Sequence, residues 1–368
     1  MLKLVLYPIS LLYGIVMYFR NRMYDLKILK STEFEIPVIS VGNITVGGTG
    51  KTPHIEYLTK LMKSEFKVVV LSRGYRRKTK GFREVTVSST ADESGDEPLQ
   101  IKTKFPEAGV FVDEKRVHGI NEIIRLSGEN QPDVILLDDA FQHRSVSPGI
   151  NILLIDYNRP VTEDSMLPAG RLREGKIQMR RASTIIFTKC PMEITPITRR
   201  ITMKNINLRP YQNLYFTTMA YGDPVPAFPG KAVTIGNHDS RFSAVLMVSG
   251  IAQPEPFKNY LSSCADYVEE IRFPDHHAFS GNDLLTIEET FEKLTVKNKL
   301  ILTTEKDAMR LKNAGEIQEN IQKYLFYIPV KIEFLDSEGK IFDKKILNYV
   351  RENKSNRELH KRKSQYAY

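Results

Sequence analysis

The stretch IPVISVGNITVGGTGKTPHIEYLTKL, residues 36–61, decides how the chain reads. Ile36 to Val41 is a short β-branched apolar run bounded by polar turns, the pattern of a buried strand. Thr45, Val46, Gly47, Gly48, Thr49, Gly50, Lys51 and Thr52 follow, and then Ile55, Leu58, Leu61 and Met62 fall on one helical face. Strand, glycine turn, Lys-Thr and helix in that order make a phosphate-binding loop. Glycines let successive backbone N–H groups point inward, and the helix N-terminus adds partial positive charge. Lys51 is expected on the β- and γ-phosphates, and the Thr52 hydroxyl on Mg²⁺. The usual pattern, G-x-x-x-x-G-K-[ST], has glycine where this chain has Thr45. An ordinary strand–turn–helix connection is the weaker alternative. GGTGKT between a clear strand and helix is rare by chance, and Pro53 suits a first helical turn.

A chain of 368 residues has room for two domains and a full core. Cys190 and Cys264 give neither a disulfide framework nor zinc spacing, which suits a reducing compartment. A net charge of +9 points to anionic partners.

Leu4 to Phe19 carries no charge, and Arg20, Arg22, Lys27 and Lys30 follow it. The run is shorter than the roughly 20 apolar residues a membrane span needs, and no small-residue cleavage site follows. Tyr7, Tyr13, Tyr18 and Tyr24 suit an interface, and the basic flank suits an anionic leaflet. The expectation is a helix lying in or dipping into a membrane. The alternatives are a core helix packed on the next domain or a single span.

KVVVLS, residues 67–72, reads as the second strand and runs into a loop from Arg73 to Arg83 with six basic residues and no acid. That loop is either solvated or a clamp for an anionic substrate. It leaves the carboxyl end of a strand, where open α/β sheets bind ligands. In SGDEP, residues 94–98, Asp96 is either a helix cap or the positioned base that a kinase acting on a hydroxyl needs. DVILLDD, residues 133–139, is a buried strand ending in Asp138 and Asp139. This is the Walker B arrangement, in which an aspartate holds Mg²⁺ opposite Thr52. Residues 151–156 and 184–188 add strands, and helices between strands imply a parallel sheet covered on both faces. From about Leu208 the pattern changes. Prolines separate short strands at 213–219 and 231–235, and a second α/β alternation without a phosphate loop runs through 244–249, 255–263, 267–272, 282–293 and 299–303. The last eighteen residues carry six basic side chains and two acids and read as a fraying tail.

Seven motifs in order, ISVGNITVGGTGKTP (39–53), LSRGYRR (71–77), SGDEP (94–98), LLDDAFQHR (136–144), LPAGRLRE (167–174), FPDHHAF (273–279) and TTEKDAMR (303–310), resemble the tetraacyldisaccharide 4′-kinase family. The resemblance runs from the N-terminal helix to about residue 350. It accounts for Thr45, which that family also uses, and it departs at Ala140, where the family has glycine. It implies transfer of the ATP γ-phosphate, with Mg²⁺, to the 4′-hydroxyl of an acylated disaccharide 1-phosphate, forming lipid IVA in lipid A synthesis. It also implies that Asp96 pairs with His276, rather than His277, to deprotonate that hydroxyl. Asp138 and Asp139 would complete the metal site with Gln142 and Glu174. Arg73, Arg76, Arg77, His143 and Arg173 are candidates for the substrate's charge.

The expected fold is α/β. A P-loop NTPase-type parallel sheet with flanking helices spans 31–212 and a smaller second lobe spans 213–353. An N-terminal membrane-associated helix occupies 1–30 and a basic tail 354–368. Lobe closure would bring His276 to Asp96 and exclude water. The expected setting is the cytoplasmic face of the bacterial inner membrane, with a monomeric chain and no nucleic-acid partner. A membrane-associated P-loop nucleotide switch and an ATP-dependent ligase are the rival functions. Against the switch, Thr188-Lys-Cys-Pro191 lacks the aspartate of a guanine-reading loop.

Overall fold

The computed structural model describes residues 2–234, 241–275, 277–312, 314 and 317–365, with side chains described between residues 5 and 356. The strands in chain order are β1 (Val38–Gly42), β2 (Val68–Ser72), β3 (Arg83–Glu84), β4 (Gly109–Val112), β5 (Val134–Asp138), β6 (Ile150–Asp156) and β7 (Thr184–Thr188). They continue as β8 (Asn213–Tyr221), β9 (Val225–Pro226), β10 (Ala244–Ser249), β11 (Val268–Arg272), β12 (Lys299–Thr304), β13 (Leu325–Ile328) and β14 (Val330–Phe334).

Nine strands form one sheet in the order β14-β8-β7-β6-β1-β5-β2-β4-β3. β1 lies between β5 and β6, parallel to both, with Val41 opposite Asp138 and Ile152. Every residue of β1, β2 and β5 is buried. A parallel strand covered on both faces must be apolar throughout, so these segments read as continuous runs rather than alternations. Fully burying a side chain such as Ile39 or Val41 contributes about 1.5–3 kcal/mol. Because β1 and β5 are neighbours in register, the glycine loop after β1 and the acids after β5 leave the same edge of the sheet. The chain reverses strand order at β1, between β5 and β6, the kind of point where such sheets bind ligands.

The second sheet has the order β11-β10-β12-β13-β9, parallel except for β9 against β13. Its core includes Leu246, Val248, Ile287, Phe291 and Ile301.

The chain divides into two compact units, Met1–Ser89 with Ile101–Met219 and Ile332–Tyr368, and Thr90–Gln100 with Ala220–Lys331. This differs from the contiguous ranges expected above in two places. Thr90–Gln100, carrying Asp96, belongs with the second unit. β14 joins the large sheet beside β8, so the segment after it returns to the first unit. Neither assignment is local, since each depends on a distant pairing partner. Two further expectations change. Of the strand expected at 231–235, residues 231–234 form none and residue 235 lies outside the described residues; a short strand, β9, comes just before them. The C-terminal segment continues as a helix over Gly339–Gln365 in place of a fraying tail.

The N-terminal helix, Leu2–Asp25, docks by its polar side. Ser10 Oγ accepts from the Ala169 N–H at 2.9 Å, Tyr13 OH donates to the Arg173 carbonyl at 3.0 Å, and Asn21 Nδ2 donates to Glu174 at 3.1 Å. Its apolar side, including Val5, Ile9, Leu12, Val16 and Phe19, is more than half exposed. The helix is therefore amphipathic in the sense opposite to a core helix. Among the described residues no helix is long and apolar enough to cross a membrane.

Candidate active site

The phosphate loop is built from both sides. Thr45 is extended and pairs antiparallel with Leu172, the Val46 N–H donates to the Arg171 carbonyl at 2.8 Å, and the Arg173 N–H donates to the Ile44 carbonyl at 2.8 Å. An extended, paired position suits a β-branched residue, which explains threonine at the first place of the motif. Thr49 is buried. Asn43 Nδ2 donates to its Oγ1 at 2.8 Å, and Thr188 Oγ1 donates to its carbonyl at 3.0 Å.

Gly50 begins the helix Lys51–Met62 with φ 81°, in the left-handed region that favours glycine. No side chain caps this helix, which suits a helix whose N-terminal N–H groups serve an anion. The buried His54 secures the loop from beneath. Its Nδ1–H donates to the Gly50 carbonyl, 2.7 Å away, and its Nε2 is 3.3 Å from Thr217 Oγ1. Burial pushes its pKa down to about 4, so the imidazole is neutral at pH 7.

At the tip of β5 the two aspartates divide. Asp138 is buried and accepts from Ser72 Oγ at 3.0 Å. Asp139 turns outward with φ 46°. Its carboxylate lies 3.6 Å from Lys51 Nζ and 3.2 Å from Arg173 Nη1. Burial would raise the Asp139 pKa, but Lys51, Arg173 and Arg116 outweigh it and hold the carboxyl below its usual range. The left-handed residue of this turn is Asp139 and not Ala140, which is buried in the core, so alanine is accommodated where the family has glycine. Gln142 Nε2 donates to the Asn43 carbonyl at 2.6 Å, and Gln142 Oε1 accepts from Arg173 at 3.4 Å.

Several contributors escaped the sequence reading. Arg116 is wholly buried, and its Nη2 donates to the Asp138 carbonyl at 2.9 Å. Burial lowers its pKa to about 10, which leaves a positive charge beneath both aspartates at neutral pH. Asp156, Arg159, Asp164 and Arg171 line a small cavity with Thr45–Thr49. For Arg159 a signal existed, because it follows the carboxyl end of the NILLID strand. For Arg116, within an amphipathic helix, there was none.

Some expected site residues have other work. Glu174 is fully buried and takes hydrogen bonds from Asn21 on Oε1 and Arg181 on Oε2, so one carboxylate oxygen serves the docking of the N-terminal helix and the other is taken by Arg181. Arg77 is bound to Glu114 and the Gly81 carbonyl, each at 2.6 Å, and braces its own loop. Arg76 lies over the Tyr75 ring. Arg73 is exposed and close enough to depress the pKa of Arg116 and His143. His143 is driven down to about 4, first by burial and then by Arg116, and is neutral at pH 7.

In the second unit, Asp96 opens the helix Asp96–Lys104 after Gly95 and is paired with Arg310 at 2.7 Å. His276 lies outside the described residues. His277 stacks on Phe273 and contacts Asp283 at 3.0 Å, at the start of the helix Gly281–Glu292.

A glycine loop joining a central parallel strand to a helix, with a neighbouring strand ending in two carboxylates, defines a P-loop phosphotransfer protein. A family model described as tetraacyldisaccharide-1-P 4′-kinase matches residues 2–351, and the chain belongs to that family of kinases. The tetraacyldisaccharide 4′-kinase of Phocaeicola vulgatus is 46% identical over 352 residues, covering 95% of this chain and 96% of that one. The Flavobacterium johnsoniae enzyme of the same name is 40% identical over 353 residues, covering 96% and 98%. A crystal structure described as the "apo" form of LpxK from Aquifex aeolicus in complex with ATP is 29% identical with a TM-score of 0.71, covering 95% of this chain and 99% of that one.

Proposed function

We propose that the chain transfers the γ-phosphate of ATP to the 4′-hydroxyl of tetraacyldisaccharide 1-phosphate, forming lipid IVA. The observation that carries this is the Lys51–Asp139–Arg173 cluster at the mouth of the phosphate loop. The incoming triphosphate takes over Lys51 and N–H groups of the loop Gly47–Thr52, while Thr45 and Val46 stay paired with the 171–173 segment. Lys51 and Arg173 then offset charge that builds on the transferring group, which is where most of the catalytic effect of such sites arises.

The donors suit Mg²⁺. Among the described residues no group of three or more His, Cys, Asp or Glu is placed to hold a metal ion alone. Mg²⁺ needs no such cage, since one or two carboxylates plus substrate phosphates and water suffice. The Thr52 hydroxyl and Asp138 would hold it, with Asp139 and Gln142 beside them. Bound there, it would screen the phosphate oxygens.

Asp96 acts as the base on the acceptor hydroxyl, and His276 is its expected partner. Supporting this reading is the motif match at both positions. The N-terminal helix sets its exposed apolar side into the cytoplasmic leaflet of the inner membrane, where an acylated acceptor resides. The reversed amphipathicity of the docked helix supports this placement. The protein acts as a monomer.

The test is transfer of radiolabelled phosphate from Mg-ATP to detergent-dispersed tetraacyldisaccharide 1-phosphate. Wild type should label the 4′-position. Lys51→Ala should lose about 10²–10³-fold in kcat. Asp96→Ala should lose about 10²–10⁴-fold with ATP affinity unchanged. Absence of product despite nucleotide binding would refute the assignment, and a matching loss of ATP affinity in Asp96→Ala would refute the base.

A further inference from the structure

We infer that Arg310 is a positioning residue for phosphotransfer, fixing the Asp96 carboxylate from within the second unit; this rests on the reading of Asp96 as the base. Arg310 belongs to the TTEKDAMR motif, which the nucleotide site leaves unused. It lies on the helix Glu305–Lys312, which directly follows β12. Its Nε and Nη2 donate to Asp96 Oδ2 at 2.9 and 2.7 Å. Its Nη1 donates to Asp307 Oδ1 at 2.9 Å and to the Gly250 carbonyl at 3.1 Å.

Asp307 is fully buried, and its Oδ2 accepts from the Gly250 N–H at 2.9 Å and from Thr304 Oγ1 at 2.8 Å. The guanidinium is thus held from behind by buried, hydrogen-bonded groups, and its other nitrogens reach Asp96. One turn earlier on the same helix face, Lys306 pairs with Glu97 at 3.1 Å. The two acids of the GDEP motif are therefore gripped together by residues more than 200 positions away.

Two features separate this from a merely structural ion pair. Exposure rises along the series, from 0% at the Asp307 side chain through 6% at Arg310 to 19% at Asp96, so the carboxylate at the open end is the one oriented. Charge points the same way. Asp307 pairs with Arg310 from the buried side, so the three side chains together carry one net negative charge, which lies at the open, Asp96 end. Two charge-assisted bonds from one planar guanidinium converge on Oδ2 and fix that oxygen from two directions, which a lysine ammonium does with less geometric constraint.

The experiment compares Arg310→Gln, Arg310→Lys and Asp96→Asn in the full-length protein. It measures kcat and the KM for ATP across pH 5–9, with circular dichroism melts as a fold control. Arg310→Gln should lower kcat about 10²-fold through misplacement of the base, with the KM for ATP unchanged. The acid limb of its kcat profile should move to higher pH by about one unit, because a cation beside the carboxylate is gone. Arg310→Lys should restore the limb but only part of kcat. In an Asp96→Asn background, Arg310→Gln should add no further loss. An unmoved limb with wild-type kcat in folded Arg310→Gln, alongside inactive Asp96→Asn, would overturn the inference and leave the base standing. Active Asp96→Asn would overturn both. Should the glutamine variant fail to fold, wild-type kcat in Arg310→Lys would overturn the inference, since the fork would then be dispensable.

Discussion

Acidification should destabilise the fold through one side chain, His54. Its imidazole is buried under the loop with Nδ1–H on the Gly50 carbonyl, and burial lowers its pKa from 6.5 to about 4. Between those values the unfolded chain binds a proton that the folded chain refuses, so stability rises with pH there. The contribution is complete above pH 6.5 and is lost as pH falls toward 4. At about 1.4 kcal/mol per pKa unit, the limiting loss is about 3 kcal/mol. At pH 5, where the shift is only partly expressed, the loss is about 2 kcal/mol. Urea denaturation of wild type and His54→Gln, followed by circular dichroism at pH 7 and pH 5, isolates the effect. His143 and the carboxylates titrate in both proteins and cancel in the difference. Wild type should lose about 2 kcal/mol more than the variant between the two pH values. Equal losses in the two proteins would refute the assignment of the neutral, loop-bracing imidazole.

Two other outcomes follow from the geometry. Gly50→Ala would place a Cβ 2.5 Å from Met219 Cε at φ 81°. The methionine end can move aside but the backbone strain stays, so the variant should lose about 1–2 kcal/mol of stability and bind nucleotide more weakly, measured by thermal melts and fluorescent-nucleotide titration. Leu12→Asp with Val16→Asp changes two side chains that are 64% and 63% exposed. Folding stability should stay within about 0.5 kcal/mol per site, while vesicle co-sedimentation should weaken at least about 10²-fold from lost apolar insertion; unchanged sedimentation would remove the helix from the membrane account.

The elements legible in the sequence were those whose pattern is local. Buried parallel strands show as β-branched runs, and β6, β7 and β10 fall where the composition places them. The glycine loop and the aspartate-tipped strand could be read because their chemistry demands particular residue types at short spacing. Strands of two to five residues at sheet edges, β3, β9 and β14, left no such mark, because their pairing is fixed by partners far along the chain.

The sequence by itself determined the phosphate loop, the carboxylates opposite it and the membership of both in one sheet, since glycine freedom, charge and hydrophobic period act over a few residues. Tertiary structure decided how the charges are shared. Glu174, a candidate metal ligand by motif, is spent on Arg181 and Asn21, and Arg77 on Glu114. Arg116, one buried cation in an unremarkable helix, sits under both aspartates, and Asp96 is gripped by Arg310. A charged side chain in a low-dielectric interior takes its meaning from what lies within a few ångströms of it, and only the folded chain sets those distances.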